Sequence, residues 1–175
     1  FLNFPDDGKR YEIIDGEHYV TPSPNTKHQW IAMKLSLLLA SYLEADPVGA
    51  VFAAPFDVVF SDLDVVEPDL LYVSRERVNV LTDEHVRGSP DLVIEILSPG
   101  TRKTDEVTKR KLYERFGVLE YWIVDPELDA IKVYRRVDDR FVRVAELSAE
   151  NKDVLTTPLL PNWSAALAGI FSSPM

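Results

Sequence analysis

The run Asp91-Leu92-Val93-Ile94-Glu95-Ile96-Leu97 constrains the fold of this chain more than any other feature. Its apolar residues follow one another without the polar alternation of a half-exposed strand, which marks a strand covered on both faces. Such a strand needs a packed layer on either side, the geometry of an α/β domain with a central sheet. Side chains alternate across a strand, so Asp91, Val93, Glu95 and Leu97 share one face. An ionised carboxylate among Val, Ile and Leu is costly to bury unless a cation pairs with it or it stands at the mouth of a pocket. Glu95 is therefore a buried salt-bridge partner or a liganding group, and the run alone leaves both readings open.

The segments around this strand predict a mixed sheet flanked by helices. Arg10 to Asp15 and Glu17 to Thr21 alternate and are joined by Asp15-Gly16, which predicts an N-terminal β-hairpin. Pro22 and Pro24 then break the chain. Asn25 is the expected N-cap of a helix running to about Glu44, with Trp30, Met33, Leu37 and Leu38 in its apolar stripe, and Pro47 and Gly49 end it. Val51 to Phe60 and Val65 to Val73 read as strands linked by the acidic turn Ser61 to Asp64, and Arg75 to Gly88 as a loop with a short helical turn. Thr104 is expected to cap a second helix, with Asp105 and Glu106 in its first turn and Gly117 as its stop. Leu119 to Val124, Ala130 to Arg136 and Phe141 to Leu147 predict three more strands, followed by a mostly irregular tail and a short helix near Ala165. No repeat or linker divides the 175 residues, so the expectation is a single domain over 1–175.

The second helix follows directly from the Glu95 strand, so its first turns lie beside the end of that strand. Asp105, Lys109 and Tyr113 are spaced to line one face of it. An Asp–Lys pair at this spacing is commonly a surface feature worth a few tenths of a kcal/mol. Asp69 lies in Glu67-Pro68-Asp69, where the proline removes a ladder donor and suggests an edge or a bulge. Taken singly it reads as a turn or edge carboxylate. Asp91 also follows a proline, but four strand residues separate it from Glu95, about 13 Å at ~3.3 Å per residue, too far to share an ion.

Taken in order, the stretches PDDGKRYEIIDGE, TPSPNTKH, DVVEPDLLYVS, GSPDLVIEILSPGTRKTDEVTKRKLYE and EYWIVD resemble the PD-(D/E)XK superfamily of restriction-endonuclease-like nucleases. More narrowly, they resemble a bacterial branch of uncharacterised restriction endonucleases, from about Pro5 to Arg136. The resemblance implies a restriction-endonuclease-like fold and a hydrolase that cuts DNA phosphodiester bonds with Mg²⁺, or Mn²⁺ in its place. It further implies that Asp69 and Glu95 are the metal ligands and that Asp69, Glu95 and Lys109 are the catalytic set. The third position of the Glu-X-Lys pattern is Leu97 here. In the branch it resembles, the lysine lies on the following helix, four residues before a tyrosine, which Lys109 and Tyr113 match. Lys103 and Lys111 are the rivals; Lys111 lies about 200° round the helix from Lys109. Accessory roles fall to Glu12, His28, Asp105 and Tyr113, with Asp57 a weaker candidate. Glu12 reads equally well as a strand surface residue, and His28 as part of a helix first turn. Tyr121-Trp122 is read as core.

Composition sets limits on partners. There is no cysteine, which removes disulfides and thiolate metal sites and fits a cytoplasmic setting. The three histidines, His18, His28 and His85, lack zinc spacing, and no phosphate-binding or nucleophile-elbow motif occurs. The apolar stretch Ala50 to Phe60 is short and holds Asp57, so no membrane span is expected. The chain begins at Phe1 and not at a methionine, so N-terminal residues are expected to be missing and a signal peptide stays an open question. A formal net charge of −10 is the opposite of the usual nucleic-acid footprint. Arg102 to Arg115, however, holds six basic residues against three acidic ones, and a polyanion would approach there unless the segment is simply a solvated helix face. DNA is the expected partner, with a homodimer plausible for an enzyme cutting both strands. Two alternatives stand beside it: a catalytically degenerate fold serving as a nucleic-acid-binding or assembly module, and a hydrolase of another phosphorylated or acidic substrate.

Overall fold

The computed structural model describes residues 10–21 and 23–173. Pro22 and the first five residues of the PDDGKRYEIIDGE stretch lie outside the described residues. Strands β1 (Arg10–Ile14) and β2 (Glu17–Thr21) form the expected hairpin, with Asp15 and Gly16 at φ 52° and 78° in its turn. Helix α1 (Thr26–Ala45) begins on Asn25, whose side chain accepts the His28 N–H at 2.9 Å. Its buried stripe is His28, Ile31, Leu35, Leu39 and Leu43. The stripe expected from the sequence is therefore rotated: Met33 and Leu37 are 49% and 61% exposed, and Trp30 and Leu38 are half-buried. Helical spacing alone fits either set, and the sheet beneath the helix selects the one with Ile31 and Leu35.

The next two expected strands each divide between two sheets. Val51 to Phe60 becomes β3 (Gly49–Ala53) and β4 (Val58–Ser61), and Val65 to Val73 becomes β5 (Asp64–Val66) and β6 (Leu70–Ser74). Each break holds a proline, Pro55 or Pro68, which cannot donate to a ladder and so frees the chain to change sheets. A short 3-10 turn, Arg75–Val80, leads to β7 (Val86–Arg87). The apolar run forms β8 (Leu92–Ile96), buried along its whole length.

After β8 the chain turns at Ser98–Thr101. The Arg102 N–H donates to the Ser98 carbonyl at 3.0 Å, and the helix begins there rather than on a Thr104 cap. It is π-helical over Thr104–Lys109 and continues as α2 (Arg110–Phe116), stopped by Gly117 at φ 81°. Strands β9 (Glu120–Asp125), β10 (Ala130–Val137) and β11 (Arg140–Ser148) follow as expected. The tail, expected to be mostly irregular, contains the paired strands β12 (Val154–Thr156) and β13 (Ser164–Ala166) before α3 (Leu167–Phe171). Three-residue strands are too short to show a period.

The larger sheet runs β11-β10-β9-β8-β6-β3 and is mixed: β8 and β9 are parallel, joined by the helix, and its other pairs are antiparallel. The smaller sheet runs β2-β1-β5-β4-β7. Leu92, Ile94, Ile96, Trp122 and Val124 pack beneath α1 and α3, while Val93, Leu97, Tyr121 and Ile123 pack against the smaller sheet and Leu112 of α2. Both faces of β8 are thus covered, and Leu97 and Tyr121-Trp122 belong to the core. Among the described residues no helix is long and apolar enough to cross a membrane.

Candidate active site

Strand register brings the two expected acids together. In the antiparallel pair β6–β8, Leu70 stands opposite Ile94 and Leu71 opposite Val93. One step further places Asp69 opposite Glu95, on the sheet face that carries Val93 and Leu97. The Ile96 N–H donates to Asp69 Oδ2 at 2.8 Å and pins the carboxylate at the end of β8. Asp69 is thus not midway along a strand: it sits where the chain passes from β5 in one sheet to β6 in the other.

The π-helical turn delivers the cation. Lys109 Nζ lies 3.0 Å from Glu95 Oε1, 2.7 Å from Glu12 Oε1 and 3.6 Å from Asp105 Oδ1, all of these groups buried. The Tyr113 hydroxyl donates to the same Glu95 oxygen at 2.6 Å. The Asp105 carbonyl within the π turn accepts the Tyr121 hydroxyl at 3.1 Å, so a buried phenol supports the irregular turn. Lys103 and Lys111 are exposed and play no part.

The smaller sheet supplies the rest. Glu12 is 1% exposed, reaches Lys109 and accepts the Glu67 N–H at 2.9 Å, so it is not a surface residue. Arg10, two residues earlier on the same strand face, places its guanidinium 2.9 Å from Asp69 Oδ1 and 2.7 Å from Glu67 Oε1. His28, in the first turn of α1, has Nε2 3.2 Å from Asp69 Oδ2. Sequence reasoning missed Arg10 and Glu67. Each lies two residues before a candidate acid, Glu12 or Asp69, and that spacing was the available signal. Asp57 is half-buried and does not line the cavity. Asp91 accepts the Ser74 N–H at 2.7 Å and faces Arg77, a structural pairing away from this cluster.

The charges do not balance internally. Among the described residues, five carboxylates (Glu12, Glu67, Asp69, Glu95 and Asp105) meet two fixed cations, Arg10 and Lys109. Burial pushes Glu95 up to about 8; Lys109 opposes this, and the carboxylates of Asp105, Asp69 and Glu12 add to it. Burial likewise raises Asp105. Burial also disfavours the Asp69 carboxylate, but the His28 ring, Arg10 and the Ile96 N–H outweigh it and hold Asp69 at about 2. Lys109 is held protonated: burial favours loss of its proton, and Glu12, Glu95 and Asp105 together overcome that. Asp69, Glu95, Lys109, Asp105, His28 and Arg10 line one small cavity of about 20 Å³. Among the described residues, no three of His, Asp and Glu are disposed to hold a metal ion. Lys109 and Arg10 instead sit between the carboxylates.

The fold is that of a restriction-endonuclease-like α/β protein. A solved structure with the same fold is a "putative nuclease belonging to DUF820" from Anabaena variabilis: TM-score 0.81 and 21% sequence identity, covering 98% of this chain and 95% of that one. The family model Uma2, described as "Putative restriction endonuclease", matches residues 1–168, and the chain belongs to that family. An uncharacterized protein of Synechocystis sp. strain PCC 6803 is 27% identical over 138 residues, spanning 75% of this chain and 68% of its own length.

Proposed function

We propose that this chain is a Mg²⁺-dependent endonuclease that hydrolyses DNA phosphodiester bonds, with Asp69 and Glu95 as metal ligands and Lys109 as the catalytic cation. The observation that carries this reading is that Asp69 and Glu95, across from each other where the β6–β8 register continues, line one cavity with Lys109, whose Nζ lies against Glu95. The donor set suits the ion. Mg²⁺ binds hard oxygens and commonly takes only one or two protein carboxylates, completing its shell with water and phosphate oxygens. The surplus of carboxylates over cations supplies the charge that would attract it. When bound, the ion would polarise the scissile phosphate and acidify a water.

The chain's own groups have distinct parts in this reading. Tyr113 fixes the Glu95 carboxylate by its hydrogen bond. Lys109, held protonated, serves as a cation facing charge that develops on the phosphate and is unsuited to act as a base. Arg10 is 20% exposed at its side chain and is the cation best placed to turn from Asp69 to a substrate phosphate. Alanine substitution of Asp69, Glu95 or Lys109 should lower DNA cleavage in Mg²⁺ or Mn²⁺ by about a hundredfold or more. Equal rates in all four proteins would end the proposal. The degenerate, non-catalytic reading draws support from Leu97 in the core and from the neutralisation that Lys109 already provides. Calorimetric titration separates the two: Mg²⁺ binding that disappears in Glu95→Ala favours the enzyme.

A further inference from the structure

A second cavity of about 190 Å³ opens beside the acidic one, between α1 and the end of β3. The two cavities share Arg10, Pro24, His28 and Asp69 as a common wall. Beyond that wall the second cavity carries no charge. Its sides are Gln29, Ala32, Met33 and Ser36, which helical spacing sets along one face of α1, and Ala53 and Ala54 opposite. This is the α1 face that the expected apolar stripe wrongly assigned in part to the core, which is why Met33 is 49% exposed.

The chemistry of these walls selects an occupant. Uncharged walls offer no charge to pair with a phosphate or a metal ion. Small alanines leave a slot, and the soft thioether of Met33 suits contact with an aromatic ring. The Gln29 side chain is exposed and has no partner among the described residues, so its amide offers a donor and an acceptor together, the pairing glutamine uses on a base edge. His28 Nδ1, in the shared wall and buried, also has no partner among the described residues. We propose that this cavity takes one unstacked nucleobase of the substrate, adjoining the phosphate held at Asp69 and Glu95. A base inside a duplex does not reach a slot between a helix and a strand, so the substrate is single-stranded or locally unpaired. The inference rests on the proposed nuclease function and names its substrate class.

Binding tests this without relying on turnover. Fluorescence anisotropy in Ca²⁺ would compare a dye-labelled single strand, the same strand lacking one base at each position in turn, and the perfect duplex. Loss of the base at one position should weaken binding about tenfold, and the duplex should bind less tightly than the intact strand. Gln29→Ala and Met33→Ala, both at exposed positions, should bring the intact strand down to the level of the abasic one and leave the abasic strand unchanged. Abasic strands that bind as tightly at every position, a preference for duplex, or unchanged binding in both variants would each overturn the proposal. Hydrolysis of bis(p-nitrophenyl) phosphate, an ester without a base, reads the nuclease function separately. If that ester is cleaved while base removal has no effect, the cavity proposal fails and the nuclease reading stands. If binding depends on the base and the ester survives, the nuclease reading fails and the base site stands.

Discussion

Glu95 and Asp69 sit opposite each other, yet burial and neighbours drive their acidities apart, and the sign of each shift gives a stability prediction. The Glu95 carboxyl, at about 8 against an ordinary 4.5, contributes stability that is full below pH 4.5 and lost as pH rises through 8. The Asp69 carboxyl, at about 2 against 3.8, contributes stability present above pH 3.8 and lost as pH falls through 2. In EDTA, the thermal unfolding midpoint should therefore peak between about pH 4 and 5 and decline towards pH 8. In Lys109→Met the decline should steepen, with a loss at pH 8 of about 3 kcal/mol, because Glu12, Glu95 and Asp105 lose their shared cation. A midpoint that rises from pH 5 to 8 in the metal-free protein would contradict these assignments. At this scale the sequence was uneven as a guide. An acid inside DLVIEIL announces itself, and Glu95 was legible at once. Glu12 in RYEII looks like any polar member of an alternating strand. Its burial depends on a lysine about a hundred residues away, which no local pattern encodes.

Among the elements, the long buried strand and the hairpin turn were legible because they rest on patterns that short windows contain. The division of two expected strands between two sheets was not. Both halves of each are apolar and extended, and only Pro55 and Pro68 mark the crossings. The π-helical turn was equally hidden, since Asp105, Lys109 and Tyr113 keep a spacing that an α-helix also satisfies. The turn nevertheless has a testable consequence. Deleting the exposed Val107 should relax the segment to an α-helix and rotate Asp105 about 100° away from Lys109. Far-ultraviolet circular dichroism should change little, while Mg²⁺ binding and cleavage should fall together. Retained activity in the deletion would show that the wider turn is incidental to the site.

For the whole molecule, the net charge of −10 remains the feature most at odds with a polyanionic substrate. The basic segment Arg102 to Arg115 resolves less of this than its composition suggests. Arg102 pairs with Asp125 and Glu127, Arg115 with Asp15 and Asp64, and Lys109 is buried. Few cations are left to grip phosphates. Strand binding should therefore show a shallow salt dependence, releasing about two or three counterions rather than the six to ten of a protein with many phosphate contacts. A slope of log affinity against log salt near −6 would indicate an extended basic track that these pairings leave no room for.

The passage from β5 to β6 through Glu67-Pro68-Asp69 ties the geometry of the acids to the spacing of the two sheets. Glu12 and Arg10 ride on one sheet, Glu95 on the other, and Asp69 on the link that joins them. Loosening the apolar layer between the sheets, at Val58, Val66 or Leu71 for example, would thus spread the carboxylates before it melted the protein. The interior packing works as a calliper, and enlarging it by a few tenths of an ångström would mistune the chemistry in molecules that still look folded.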